Sequence, residues 1–449
     1  MILKFFFDNK LNRLIKFLYI FPFFFLNDKA FAVGAYSLNI HYLAHIDYFD
    51  IPGYFFLLLN FVLFFFLVKK KPHLKNILII FLLIRIILIF INLELFSLPE
   101  SAGDAFKFIR IASEMVNNGL YENIFNTQLG TYFKHSYSWL LALFFSIFGE
   151  SYLLATSITL ALSMLTIYIL EDLLKLLWGN LNFNNILFLV TLMPSFILYS
   201  VLPLREILFT FLLLIAFLNA GLFLKYNKFF NSIVSIIFFF IAGTIHGGGN
   251  IGLILFICYL AFRYSKSILI QFYNLNINIF NITILIFLYL VIISYINDNL
   301  VFSKIGSFSL LMDPEYISKF ADQRTLGDAA YPIFLIPSSD KDLIWIIPLK
   351  FLYFLFGPFP WDIKSSIHLV GFFEGLVYLY LSFIIIFSFK KILNNDLALL
   401  LLICLIFYVL AFAIGTSNFG TGFRHRAKFF IFIVSLAAPF IFKKKSDKR

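Results

Sequence analysis

Charged side chains are scarce in this chain, so each can be weighed separately. Those that could do chemistry gather in five stretches. In the first, Glu100-Ser-Ala-Gly103-Asp104-Ala-Phe-Lys107-Phe-Ile-Arg110, a carboxylate opens a run in which Ala105, Phe108, Ile109, Ala112, Met115 and Val116 recur at helical spacing. The run predicts an amphipathic helix on the membrane surface with Asp104 at or near its N-cap. Asp104 either caps that helix and nothing more, or stands just above the hydrocarbon as a general base or a ligand for a divalent cation. In the second, Pro194 and Pro203 break an apolar segment that leads to Arg205-Glu206. Adjacent residues on a helix do not face each other, so these two serve different partners. They are either interfacial charges at a tight turn, or an arginine fork suited to phosphate with a carboxylate beside it.

The third stretch, His246-Gly-Gly-Gly-Asn250, is a turn between spans or a place where backbone approaches a ligand. The fourth is the late loop with Asp313, Asp322, Arg324, Asp328 and Tyr331, followed by Phe356-Gly-Pro-Phe-Pro-Trp361. Trp361 either anchors the chain at the interface or offers a face for a sugar ring. In the fifth, Gly422-Phe-Arg424-His425-Arg426-Ala-Lys428, dense basic charge lies on the outer face, against the positive-inside bias. It fits lipid headgroups or a lipid pyrophosphate. Arg85, inside an apolar run, must be paired or face an internal cavity.

The elements that position these residues follow from composition. Of 449 residues, 61% are apolar and 20% aromatic, with 65 Phe, and only 13% are charged. Soluble domains run at about 45–50% apolar and about 25% charged, so a soluble enzyme, a disulfide scaffold and a disordered chain are excluded. The expectation is an all-α, polytopic integral membrane helical bundle of about 11–13 spans, forming one multispan domain over 1–449. Cys258 and Cys404 lie in apolar runs and suggest neither disulfides nor a metal site. The net charge of +11 sits largely in clusters at span ends, so it points to membrane topology and not to nucleic acid.

Lysines 69–71 and 75, 225 and 228, 390 and 391, and the tail 443–445 mark the cytoplasmic ends, together with Arg263 and Lys266. Both termini are expected in the cytoplasm, with a first short span within Met1–Leu26. Further spans are expected near 52–68, 76–96, 151–170, 186–203, 207–224, 229–246, 250–262, 277–296, 366–389, 396–414 and 428–442. The outer face then receives a first large loop, 97–137, and a second, 297–365, with a re-entrant or interfacial segment. The short run 139–148 is read as dipping in and out.

Taken in order, Gly103-Asp104, Phe148-Gly149, the proline-containing span to Arg205-Glu206, the late loop, Pro358-Phe-Pro-Trp361 and Gly422-Phe-Arg-His-Arg426 give a pattern. It resembles bacterial multispan glycosyltransferases of the GT-C type and the Wzy-like oligosaccharide repeat-unit polymerases, over most of residues 75–442. The resemblance implies a polyprenyl-phosphate-linked saccharide donor and a glycan acceptor, joined at the periplasmic face of the bacterial cytoplasmic membrane in cell-surface polysaccharide assembly. Asp104 matches the acidic residue of the first outer loop that assists the acceptor or binds metal in GT-C enzymes. Arg424, Arg426 and, by looser placement, Arg205 match the arginines that hold lipid pyrophosphate in the polymerases. The paired acid of the GT-C first loop is missing, because Ala105 follows Asp104, and this leaves a divalent cation unassigned. The expected catalytic residues are Asp104, Glu206 and His425, with His425 as a proton carrier. The expected substrate-binding residues are Arg205, Arg424, Arg426, His246, Trp361 and Arg324. The rival reading from another class is a transporter or flippase for a lipid-linked glycan, which would carry more charge within its spans and show internal pseudo-symmetry.

Overall fold

The structure, a computed structural model, describes residues 50–120, 135–273, 278–297, 329–335 and 340–441. The span expected within residues 1–26, the tail lysines, Arg324 and the acids Asp313, Asp322 and Asp328 lie outside the described residues. Among the described residues the chain is helical and has no strand, one isolated antiparallel bridge between Ala330 and Asn418 apart. The helices are α1 (Ile51–Lys70), α2 (Lys75–Phe90), α3 (Phe106–Asn117), α4 (Ser136–Phe148), α5 (Tyr152–Trp178), α6 (Asn184–Leu192), α7 (Pro194–Ser200), α8 (Arg205–Tyr226), α9 (Phe229–Ile245), α10 (Asn250–Tyr273) and α11 (Ile279–Ile296). They continue with α12 (Leu343–Phe356), α13 (Ser366–Phe387), α14 (Phe389–Leu393), α15 (Asp396–Ile414), α16 (Phe419–Ala427) and α17 (Phe430–Ile441).

Eight helical segments among the described residues are long and apolar enough to cross a membrane, so the molecule is a polytopic helical bundle. The side chains of α1 show why water is not its solvent. Gly53, Leu57, Asn60, Phe64 and Leu67 are buried at spacings of four and three, a single narrow seam. Phe55, Leu58, Phe61, Val62, Phe65 and Phe66 stand exposed around the rest of the cylinder. Such a helix is stable where the surroundings are as apolar as its surface.

The chain divides into two compact units. The first comprises Met1–Leu174, Asn180–Phe211 and Ser365–Glu374, the second Lys175–Gly179, Leu212–Lys364 and Gly375–Arg449.

In the first unit, α1 and α5 run parallel, pinned at both ends. Asp50 accepts from the Gly53 backbone N–H at 2.8 Å and from the Ser151 hydroxyl at 2.6 Å, so one carboxylate serves the starts of both helices. Midway, Asn60 Nδ2 donates to the Ser157 carbonyl at 3.1 Å. At the far end Lys71 Nζ meets Asp172 at 2.6 Å, Glu171 at 3.2 Å and the Tyr168 carbonyl at 2.8 Å, while His73 Nε2 contacts Glu171 at 2.6 Å. The chain leaves that lysine end along α2 and is back beside the start of α1 when α5 begins. Asn92, just past α2, donates from Nδ2 to the Tyr152 hydroxyl at 3.2 Å, so the chain leaves α2 and enters α5 at the same end. Helix α4, about 20 Å long at 1.5 Å per residue, is shorter than a hydrocarbon core of about 30 Å.

Several expected spans have different bounds. The segment 186–203 is two short helices, α6 and α7, because Pro194 lacks the N–H that would continue α6 and opens α7 at its first position. Helix α10 does not stop near 262 but runs past Arg263 and Lys266 to Tyr273. The expected span 428–442 is the 12-residue α17, which contains Pro439. Within the expected second loop, residues 343–356 form α12, a 14-residue helix that contains Pro348.

Candidate functional site

In the first unit the expected amphipathic helix is α3. Ile109 and Ala112 are buried along one face, and Lys107, Arg110 and Glu114 are exposed on the other. Asp104 is not the N-cap of α3. A wide helical turn, Ser101–Ala105, kinked at Gly103, precedes the helix and holds Asp104, half-buried, within it. This turn starts after Glu100, whose φ of 69° is left-handed.

Arg205 and Glu206 open α8 and go to different places, as their adjacency requires. The Arg205 guanidinium lies 5.5 Å from the centre of the Phe108 ring, so α3 supplies it a π face. Glu206 is buried and lies within electrostatic reach of the Tyr137 hydroxyl. The Tyr137 and Phe108 rings meet edge to face at 5.1 Å.

The broken segment leading to Arg205 is held by two buried charges. Arg85 donates from Nε to Ser200 Oγ at 2.8 Å and from a terminal nitrogen to the Thr191 carbonyl at 2.9 Å. Its guanidinium also stacks 3.9 Å from the Phe81 ring centre. It thus joins the last turn of α6 to the last residue of α7 and accounts for a full charge inside α2. Glu374, in α13, accepts from the Ser195 backbone N–H at 2.6 Å, so a carboxylate meets the N-terminal turn of α7, where orphan N–H groups and the helix dipole favour negative charge. The sequence reading missed Glu374. A lone acid inside the apolar run 366–389 was the available signal.

The second unit holds the basic motif. Its helix, α16, is capped by Asn418 Oδ1, which accepts from the Gly420 and Thr421 backbone N–H groups at 2.8 and 3.4 Å. Helical spacing then sorts the cations. Arg424 and Lys428 are four residues apart and His425 and Lys428 three, so they share a face. Arg426 points the other way. It donates from one terminal nitrogen to the carbonyls of Leu355, at 3.2 Å, and Gly357, and lies 5.2 Å from the Tyr378 ring centre. Arg426 therefore clamps the end of α12, the job of a structural strut, and the expectation that it holds phosphate is corrected to that extent. Arg426 also faces Tyr331, whose phenol burial pushes up while the guanidinium pulls the other way.

Around Phe412 several expected residues do meet. The His246 ring stacks on Phe412 at 4.7 Å and meets the His425 ring edge-on at 5.3 Å. Lys428 Nζ lies 2.9 Å from His425 Nδ1 and 5.1 Å from the Phe412 ring centre. The glycine triplet is what allows this. It forms one tight turn between α9 and α10, in which a Cβ on Gly248 would collide with the Phe412 ring and one on Gly249 with the Ala242 backbone. The triplet is thus a packed turn that carries His246 to Phe412.

Lys350, in α12, was not singled out by the sequence reading. Its Nζ donates to Ser417 Oγ at 3.2 Å and to the Ile414 carbonyl at 3.4 Å, at the end of α15. Lys350, Arg424, Arg426 and Lys428 are all buried. Trp361, by contrast, is 72% exposed. It stacks on Phe359 at 5.1 Å, and its Nε1 donates to the Tyr353 hydroxyl at 3.3 Å. The described residues contain no group of three or more His, Cys, Asp or Glu side chains placed to hold a metal ion.

No protein-family profile, curated protein or solved structure matches this chain.

Proposed function

We propose that this chain is a membrane glycosyltransferase that takes a saccharide from a polyprenyl-phosphate-linked donor at the periplasmic face, in cell-surface polysaccharide assembly. The supporting observation is the buried basic face of α16 in the second unit, Arg424 and Lys428, with His425 against Lys428 and His246 against His425. An anion that is apolar at one end and phosphate at the other suits such a cluster. The arginine fork and the lysine ammonium suit phosphate oxygens, and apolar helices suit the prenyl tail.

In the proposed reaction an acceptor hydroxyl attacks the anomeric carbon. The bond from that carbon to the phosphate oxygen breaks, the lipid phosphate or pyrophosphate leaves with the electron pair, and the hydroxyl proton passes to a base. Cations stabilise the charge that builds on the leaving oxygen. In the first unit, Asp104→Ala and Glu206→Ala each test whether that carboxylate takes part in glycan synthesis. Trp361, with its exposed face, is a proposed sugar platform.

The test is purified protein in liposomes with a polyprenyl-pyrophosphate-linked saccharide and a glycan acceptor. The expected result is a glycosidic product, formed about 100-fold more slowly by Arg424→Ala. A transporter is favoured by one observation, the helix broken into α6, α7 and α8. Lipid translocation that Arg424→Ala abolishes, with no product at all, would decide for that reading. In cells, the glycan profile of a deletion strain separates the two enzyme types. A single repeat unit identifies a polymerase, and a missing branch sugar identifies a single-sugar transferase.

A further inference from the structure

Trp361 is held in a way that decides what its exposed face can do. The short turn that carries it, Pro360–Asp362, is closed by Asp362 Oδ2, which accepts from the Phe359 backbone N–H at 3.1 Å. The indole lies nearly flat on Phe359, with the ring planes 15° apart, so protein backs one of its faces. Its edge is fixed as well. Nε1 donates to the hydroxyl of Tyr353, a buried side chain packed at 4.9 Å on Phe359, 5.8 Å on Phe334, 5.9 Å on Tyr331 and 6.3 Å on Phe419. Phe334 is itself 59% exposed. Two exposed aromatic rings, 27 positions apart in sequence, thus brace on one buried tyrosine. A tryptophan that anchors a protein at a bilayer surface is favoured there because its ring is apolar while its N–H stays wet. The Trp361 N–H is turned inward to Tyr353, so that polar handle is already engaged. Lys364 and Ser365 stand exposed between Trp361 and the start of α13, so the ring is flanked by polar side chains. A rigid π face in such a setting carries negative potential and suits the C–H groups of a sugar ring, whose hydroxyls stay outward in water.

We infer that Trp361 and Phe334, both braced on Tyr353, form a binding strip for a glycan chain of two or more sugars, with Tyr353 as the positioning residue. This rests on the glycosyltransferase reading and adds to it that the acceptor is a chain, gripped through sugars other than the reacting one. A lipid-linked donor offers phosphate and a prenyl tail to be held by. The sugars of an acceptor chain offer only uncharged groups, which an aromatic strip can grip and a basic face cannot. The strip also lies close to the basic helix. Phe419, which packs on Tyr353, is the first residue of α16, and Arg424 follows five residues on, about 8 Å along the axis.

The experiment is NMR of the full chain in lipid nanodiscs with nitrogen-labelled tryptophan, Trp361 being assigned by the indole resonance lost in Trp361→Phe. The probe is surface glycan of the producing cell, released from its lipid by mild acid and separated into single sugars, disaccharides and longer chains. The Trp361 resonance should move saturably with disaccharides and longer chains and bind single sugars about tenfold more weakly, while Trp139, Trp178 and Trp345 stay in place. Tyr353→Phe keeps the ring and removes the hydroxyl. It should speed exchange of the Trp361 indole proton and weaken chain binding by up to about tenfold. No shift with any length, or equal affinity for single sugars and chains, would overturn the inference. So would broadening of the Trp361 resonance by a headgroup spin-labelled lipid that glycan does not relieve, which would give the face to the bilayer. The measurement on the unsubstituted protein decides the matter even if Tyr353→Phe fails to fold. A second arm uses the liposome assay. Trp361→Ala and Phe334→Ala should each raise KM for a chain acceptor by up to about tenfold and leave kcat, and KM for a single-sugar acceptor, unchanged. A merely structural role would lower kcat with both acceptors and overturn the strip. Glycan binding without any product defeats the glycosyltransferase reading and leaves the strip standing, and product whose KM ignores both substitutions does the reverse.

Discussion

At the residue scale, Arg424 and Arg426 look alike in sequence and differ completely in the fold. Two positions on a helix turn a side chain by about 200°, so one arginine shares a face with His425 and Lys428 while the other reaches Leu355 and Gly357. Their substitutions should separate accordingly. Arg426→Ala removes a charged donor from two buried carbonyls and should lower stability by about 1.5–3 kcal/mol, read as an earlier thermal transition in detergent. An unchanged transition would remove Arg426 from its structural role. The motif was legible as a dense run of basic charge between apolar segments. Which arginine did which job was not, because that depends on where α12 ends, and α12 lies inside what reads as a polar loop. Lys350 went unnoticed for the same reason, as a cation whose partners, Ser417 and Ile414, are more than sixty residues away.

At the scale of elements, the segment from Asn184 to Tyr226 shows how broken helices are made dependable. Prolines supply the breaks, and buried charges from α2 and α13 take up the freed backbone and hydroxyl groups. Arg85→Leu should therefore destabilise the fold by about 1.5–3 kcal/mol, and Arg85→Lys should not restore it, since an ammonium lacks the planar fork that reaches Ser200 and Thr191 together. Thermal unfolding and protease resistance in detergent measure both. Full stability in Arg85→Leu would show that the prolines alone define the segment. The breaks and Arg85 were legible in the sequence, as two prolines and one charge within a span. The pairing was not, because neither periodicity nor charge counting says which helix lies beside which.

At the scale of the molecule, lysine clusters placed most of the turns correctly, since a charge avoids hydrocarbon wherever the chain allows it. They misplaced the end of α10, where Arg263 and Lys266 ride on a helix that simply continues. The parallel course of α1 and α5 gives a direct check. On a background with Cys258 and Cys404 replaced, Glu150→Cys and Asn182→Cys should react with a membrane-impermeant thiol reagent from opposite sides, and His73→Cys from the same side as Asn182→Cys. Labelling of positions 150 and 182 from one side would remove α5 as a crossing helix. The same pairing governs how the protein is made. Asn60 and Ser157 are 97 positions apart, and Asp50 and Ser151 are 101 apart. During synthesis α1 therefore precedes α5 by about a hundred residues, and until α5 arrives Asn60 has the Phe56 carbonyl of its own helix but not the Ser157 carbonyl. Biogenesis has to shelter the hairpin of α1 and α2 until α5 arrives.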